Sequence, residues 1–274
     1  MPALQPTAAS PNLAEVLRLP PWLNKRRTLT ATTHQTSQSL KSRGLHSVCH
    51  EAKCPNLAEC YSRKTVTFLL MGDTCTRGCR FCHIKTRRTG LPLNPEEPRK
   101  IAQAARELGL KHIVLTSVAR DDLPDEGAEH FAACVKACRM LVPEARVEVL
   151  TPDFHGQAAH LQKFCTTPPD IFNHNLETVE RLQPTVRHRA TYVTSLQTLR
   201  LAKQLMPSVI TKSGVMVGLG ESNTELETCF KDLREGGVDI LTLGQYLRPS
   251  KKHLPVRRFV PLAEFDTLKQ TALS

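Results

Sequence analysis

An α/β architecture, a partial (β/α)6 TIM-like barrel with N-terminal and C-terminal extensions, is what this sequence predicts, and three observations carry the prediction. From residue 65 onward, short runs rich in Val, Ile and Leu alternate with longer helical patterns, as repeated βα units around a parallel sheet do. Polar and cysteine clusters fall just beyond the ends of those runs, where α/β sheets gather their ligands. The chain has 274 residues, enough for one large domain around a single core. A composition of 40% hydrophobic and 23% charged residues gives no case for wholesale disorder or a fibrous repeat.

Residues 1–40 contain five prolines and a Thr-rich run from Thr28 to Thr36, so they read as an irregular arm whose one anchor is Leu19-Pro-Pro-Trp-Leu23. Strands are expected at 65–71, 112–117, 146–150, 170–174, 213–218 and 239–243. Helices fit 96–108, 127–141, 156–165, 195–206, 223–236 and 262–272, with glycine closing several of them, as at Gly109 and Gly236. Six βα units with right-handed crossovers curve into a partial barrel. A doubly wound sheet would show the same alternation, and the barrel is the favoured reading. The division that follows is an N-terminal extension over 1–64, a barrel over 65–245 and a C-terminal extension over 246–274.

No stretch approaches the roughly 18 consecutive apolar residues that a membrane-spanning helix needs. Residues 1–30 lack the basic-then-apolar order of a secretory signal, and Arg18 is the only arginine before Arg26, which is thin for a transit peptide. A cytoplasmic location is therefore expected. In that setting ten cysteines argue for metal or catalytic use rather than disulfides. Six of them lie between Cys49 and Cys82. Cys134, Cys138, Cys165 and Cys229 are scattered, and they read as small apolar residues of the core.

The formal net charge is +11, and residues 41–90 hold ten Lys or Arg against Glu51, Glu59 and Asp73. A nucleic-acid footprint is one explanation. Metal-bound thiolates in the same segment would offset part of the excess and are another. Residues 248–258 contain Arg248, Lys251, Lys252, Arg257 and Arg258. A solvated face is the default for such a run, and a docking surface for an acidic partner is the other reading.

Cys75-Thr-Arg-Gly-Cys79-Arg-Phe-Cys82 follows directly on Thr67-Phe-Leu-Leu-Met71, so three thiolates emerge on one loop at the end of the first barrel strand. Three ligands leave one iron of a 4Fe-4S cubane open to bind something else. Closed structural zinc is the competing reading. It needs four ligands, and His83, the adjacent residue, is awkwardly placed to chelate the same ion. Upstream, Cys49-His-Glu-Ala-Lys-Cys54-Pro-Asn-Leu-Ala-Glu-Cys60 offers a second triplet. Pro55 and Asn56 break any continuous helix through it, as a loop wrapping an inorganic core requires.

The spacing Cys-x3-Cys-x-aromatic-Cys resembles the radical S-adenosylmethionine (SAM) superfamily signature. The Cys-x4-Cys-x5-Cys run ahead of it is similar to lipoyl synthases in particular. So are the blocks Leu19-Pro-Pro-Trp-Leu23, Thr116-Ser-Val-Ala-Arg-Asp-Asp-Leu123, His174-Asn-Leu-Glu-Thr178, Thr211-Lys-Ser-Gly-Val-Met-Val-Gly-Leu-Gly-Glu221 and Leu243-Gly-Gln-Tyr-Leu-Arg-Pro-Ser250. The likeness covers roughly residues 19–272.

The resemblance implies two 4Fe-4S clusters and SAM. The first cluster, on Cys75, Cys79 and Cys82, would chelate SAM through its open iron and yield a 5′-deoxyadenosyl radical. The second, on Cys49, Cys54 and Cys60, would donate sulfur to C6 and C8 of an octanoyl chain. No catalytic side chain beyond the cluster ligands is expected. Phe81 would lie near the adenine, and Asn175 and Glu177 would contact SAM, with helix capping the rival role for Asn175. Met216 and Val217 would lie near SAM or belong to plain strand core. Octanoylated lipoyl domains or the glycine-cleavage H protein, together with a low-potential donor such as ferredoxin or flavodoxin, are the implied partners. Neither a membrane nor nucleic acid is among them. The family's C-terminal Arg-Ser-Ser segment, whose serine completes the auxiliary cluster, has no match after Ala263, so that ligand is unassigned. Rival functions are a radical SAM methylthiotransferase acting on tRNA and a non-catalytic iron-sulfur or zinc protein.

Overall fold

The structure is a computed structural model and describes residues 18–24, 31–52, 54 and 56–274. Six parallel strands dominate it: β2 (Thr65–Leu70), β5 (His112–Ser117), β6 (Arg146–Leu150), β7 (Ile171–Asn173), β8 (Ile210–Val217) and β9 (Ile240–Gln245). They pair in strict chain order, and a short β1 (His46–Ser47) lies antiparallel on the outer edge of β2. A doubly wound sheet would reverse its order at a switch point. With no reversal, right-handed crossovers keep every helix on one face, and the sheet curls into an open barrel.

The outer layer comprises α4 (Glu97–Glu107), α5 (Ala128–Leu141), α8 (Tyr192–Leu205), α9 (Asn223–Glu235) and α10 (Leu262–Leu273). Their apolar faces bury Ile101, Phe131, Leu199 and Leu226 against the sheet. Phe131, Phe154, Phe164 and Phe172 interlock with ring centroids 5.8 to 6.4 Å apart. Helix starts follow local chemistry. Thr191 caps α8 by accepting from the Thr194 amide, and Ser222 and Glu225 form a reciprocal capping box on α9.

Several expectations need correction. The Thr-rich arm is partly helical: α1 (Ala31–Ser42) buries Leu40 and Thr36, and this packing overrides the weak intrinsic preference of its Thr and Ser residues. The rest of the arm, residues 1–17 and 25–30, lies outside the described residues. The presumed anchor Leu19-Pro-Pro-Trp-Leu23 forms a short turn with Leu19 and Trp22 about half exposed. The helix expected over 156–165 breaks into α6 (Ala158–Leu161) and a tight turn at Gln162–Phe164. It starts late because Gly156 is left-handed and Gln157 extended. Helix α8 begins three residues before its expected start. Helix α9 does close at Gly236, as expected, and the left-handed residue is the next one, Gly237, at φ 78°. Cys134, Cys138 and Cys229 are buried as expected, but Cys165 is exposed.

A charged network crosses the barrel strands. Glu148 on β6 accepts from Lys212 Nζ at 2.8 Å and Asn173 Nδ2 at 3.2 Å, with His112 Nε2 3.2 Å away. Burial alone would raise its carboxyl, but these partners prevail and hold it at about 2, well below its ordinary 4.5. A depressed carboxylate contributes stability that is complete above the unfolded value and is lost as pH falls through the folded one. The shift corresponds to about 3 kcal/mol. Urea midpoints of wild type and Glu148→Gln should therefore differ most near pH 7 and converge towards pH 3. A gap that does not change with pH would contradict this account.

Candidate functional site: two cysteine triplets at the mouth of a barrel

Strand β2 delivers its chain to the mouth through a left-handed turn at Met71 and Gly72. Buried Glu97 holds that turn by accepting from the Met71 amide at 3.0 Å while His130 contacts the same carboxylate oxygen at 2.6 Å. The next residues form β3 (Thr74–Cys75), which pairs in parallel with β4 (Lys85–Thr86) and so ties the base of the loop carrying Cys75, Cys79 and Cys82. The Arg77 amide donates to Cys75 Sγ at 3.3 Å. Burial pushes the Cys79 thiol up, with Arg187 the main opposing influence, and pushes Cys82 up to about 12 against the pull of the Ile84 amide. Cys82 also feels Cys79 and Cys75, so the three thiols share one environment.

The second triplet is built on two short helices, α2 (Val48–Glu51) and α3 (Leu57–Ser62), separated by the break that Pro55 and Asn56 foretell. Cys49 is buried on α2, Cys54 sits between the helices and Cys60 lies on α3. Ser47 caps α2 and shares a 2.9 Å hydrogen bond with the buried Tyr61 hydroxyl, which fixes the two helices together. Burial raises the Cys49 thiol, the Thr67 backbone lowers it, and Cys54 and Cys60 raise it further, so these three thiols are also grouped. The two groups adjoin. His83, next to Cys82, places Nδ1 3.2 Å from the Glu51 carbonyl, and its ring stacks on His253 at 5.6 Å. His253 in turn sets Nε2 3.0 Å from the Cys82 carbonyl.

The donor sets fit polynuclear clusters. Among the described residues, neither triplet brings its three sulfur atoms within 4.8 Å of one another. Thiolates on a single tetrahedral zinc stand about 3.8 Å apart, as Zn–S bonds of about 2.3 Å require. Thiolates bound to separate corners of a cubane stand wider.

Beyond β7 the chain leaves the sheet at His174 and returns at Glu177, whose φ is 70°. There it rejoins β8, the Glu177 amide donating to the Gly214 carbonyl at 2.9 Å and the Met216 amide to the Glu177 carbonyl at 2.8 Å. Asn175, Glu177 and Met216 thus converge. Asn175 caps no helix; its side chain lies over Gly214, where a Cβ would stand 2.7 Å from Asn175 Oδ1. Burial raises the Glu177 carboxyl, and Arg187 and then Asn175 pull it back. Phe81 and Met216 pack into one apolar cluster with Val186, Leu219, Tyr246 and Leu254. The Val217 side chain is placed elsewhere, fully buried among Leu226 and Phe230 between sheet and helices.

Sequence reasoning did not single out Arg77, Arg187, His83 or His253 for these positions. Arg77 is 5% exposed and binds three carboxylates: Asp121 at 2.8 and 3.0 Å, Asp153 at 2.7 Å and Glu126 at 3.3 Å. These partners come from the loops after β5 and β6, so the cysteine loop is locked onto two neighbouring strand ends. Breaking a buried ion pair on one side strands the remaining charges, at a cost of about 3–5 kcal/mol. We expect Arg77→Met to lose stability on that scale in chemical denaturation. A loss below about 1 kcal/mol would show that the network is not coupled to folding.

The mouth also fits a polar ligand. Among the described residues, Ser117 Oγ, Thr151 Oγ1, Asp153 Oδ2 and His174 Nε2 are buried without a hydrogen-bond partner, and all follow or end β5, β6 and β7. Burial holds the His174 imidazole below its ordinary value, with Arg187 adding to the effect and Asp153 opposing it. Stranded polar atoms are costly, and a ligand rich in amino, carboxylate and hydroxyl groups would supply their partners.

The Radical SAM superfamily model matches residues 69–233. A lipoyl synthase from Aeromonas hydrophila is 52% identical over 261 residues, covering 94% of this chain and 81% of that protein. One from Haemophilus influenzae is 49% identical over 260 residues with the same coverage. Among solved structures, methylornithine synthase (PylB) aligns with a TM-score of 0.59 at 15% identity over 88% of this chain and 68% of that one. SuiB from Streptococcus suis bound to S-adenosylmethionine aligns at 0.57 and 11% identity over 80% and 50%. The solved structures speak to the fold, and the relatives at about 50% identity to the family: this chain belongs to the lipoyl synthases, radical SAM enzymes with 4Fe-4S clusters.

Proposed function

We propose that this chain inserts two sulfur atoms, at C6 and C8, into a protein-bound octanoyl chain to give the lipoyl cofactor. The observation that carries the reading is the juxtaposition of the triplets, joined by His83 against the Glu51 carbonyl at the mouth of one barrel. An unactivated C–H bond offers acid–base side chains no foothold, so the hard chemistry belongs to cofactors and the protein positions the parts. When bound, the cluster on Cys75, Cys79 and Cys82 supplies the electron that cleaves SAM to a hydrogen-abstracting radical, and the cluster on Cys49, Cys54 and Cys60 supplies sulfur.

The chain's own residues then have definite tasks. Phe81 and Met216 present an apolar wall that excludes water from a reactive radical. Asn175 and Glu177 offer polar groups to the SAM ribose or amino acid moiety, and the Val217 backbone continues that strand beside them. Arg187 steadies this corner by donating to the Asn175 carbonyl at 2.8 Å while its charge acts on both Glu177 and Cys79. In this reading residues 1–64 carry the auxiliary site, 65–245 the radical site and 246–274 a C-terminal brace.

Octanoylated lipoyl domains or the glycine-cleavage H protein present the substrate, and ferredoxin or flavodoxin delivers the electrons in the cytoplasm. Among the described residues no helix is long and apolar enough to cross a membrane. The test is anaerobic incubation of reconstituted enzyme with SAM, dithionite and an octanoyl-lysyl peptide. Mass spectrometry should show a product carrying two added sulfur atoms; SAM cleavage with the peptide left unmodified would refute the assignment.

A further inference from the structure

Three segments make up one side of the barrel mouth, distinct from the acidic loop after β5: residues 79–90 after β2, 187–191 at the end of the connection from β7 to α8, and 247–258 after β9. Together they contain eleven Lys and Arg and no Asp or Glu. The loops are one surface. The Arg80 amide donates to the Val186 carbonyl at 3.0 Å, the Leu254 amide donates to the Arg80 carbonyl at 3.1 Å, and His253 meets Cys82.

Elsewhere exposed cations are of both kinds: Lys163 pairs with Glu129 and Arg181 with Glu225, whereas Lys136 and Lys231 stand apart from any carboxylate among the described residues, so what distinguishes the rim is the clustering of its cations. On the rim Lys85 pairs with Asp73 and Arg258 with Glu264. Arg80, Arg87, Arg88, Lys251 and Lys252 are exposed, with no carboxylate within 4.0 Å among the described residues. Like charges gathered in this way repel one another and cost stability, whereas a solvated face needs only interspersed signs.

The rim also commands the way in. The loop that carries Cys75, Cys79 and Cys82 follows the carboxyl end of β2, so the mouth is the end of the barrel at which a substrate arm meets the cysteines. We propose that this cationic rim is the docking face for the acidic surface of the protein that presents the octanoyl-lysyl arm. The proposal rests on the lipoyl synthase reading for the identity of the arm, and on the unmatched charge for the character of its carrier. Complementary charge of this kind acts mainly on encounter and on the affinity for the whole carrier, and little on a small ligand that enters the site.

The test uses reconstituted holoenzyme and two substrates, an octanoylated acidic lipoyl domain and a short octanoyl-lysyl peptide without acidic residues. Wild type is compared with Arg88→Glu/Lys251→Glu/Lys252→Glu and with the charge-preserving Arg88→Lys/Lys251→Arg/Lys252→Arg. Charge reversal should weaken binding of the domain roughly tenfold or more at low ionic strength and flatten its salt dependence. Peptide turnover should be unchanged, and the charge-preserving variant should bind the domain like wild type. Domain binding that ignores charge reversal would overturn the docking face even if thiolation is intact. So would reversal that abolishes binding of a tRNA while sparing the domain, because the rim would then be a nucleic-acid surface. Wild-type binding of the domain that responds to reversal, without thiolation of either substrate, would uphold the docking face and sink the reading of the activity.

Discussion

Replacing Cys75, Cys79 and Cys82 together with alanine should reduce 5′-deoxyadenosine formation to the level of enzyme-free controls. The expected effect is this large because, in the proposed assignment, one loop supplies all three thiolates that hold the SAM-cleaving cluster. Loss of fold is separable from loss of chemistry. The loop is held independently by the β3–β4 pairing, by the Thr76 hydroxyl donating to the Ala119 carbonyl at 3.0 Å, and by the Arg77 network. The variant should therefore retain a cooperative thermal transition close to that of the metal-free wild type. SAM cleavage at the wild-type rate would remove these residues from the radical site.

The companion substitution of Cys49, Cys54 and Cys60 should divide the two activities. SAM cleavage should persist within about twofold of wild type, because the first triplet is whole and hydrogen bonds tie its loop to Ala119 and Asp153, in the loops after β5 and β6, and to Val186. Thiolated product should fall below detection, since in the proposed reading the sulfide to be donated is lost with the cluster. Tyr61, buried beside this triplet, keeps its hydrogen bond to Ser47 in the variant, so the α2–α3 pair should still pack on β2. A normal yield of lipoyl product would refute the donor role and leave a single-cluster enzyme.

What the sequence made legible depends on how local the signal is. The six parallel strands announce themselves through runs such as His112-Ile-Val-Leu-Thr-Ser117, and the cysteine triplets through spacings that the loops preserve. Asn175 and Glu177 stood out as polar residues at a strand's carboxyl end, where α/β sheets gather ligands, whereas Met216 came only from the family resemblance. Other features have no local trace. Arg77 meets Asp153 across 76 positions, and His253 meets Cys82 across 171, pairings that no window of sequence displays. Helix α1 was missed because Leu40 draws its stability from burial, while Thr and Ser around it favour other conformations. Cys165 reads as core by residue type, but a tight turn leaves it exposed, its thiol 3.9 Å from the Leu205 carbonyl.

The division into two cluster sites is the centre of this account, and iron and acid-labile sulfide analysis after anaerobic reconstitution tests it most directly. Wild type should hold about eight irons and about eight sulfides per chain, and each cysteine triple variant about four of each, as two separately ligated cubanes require. Zinc in place of iron, or a wild-type count that stays near four and is abolished by one triple substitution while untouched by the other, would contradict it.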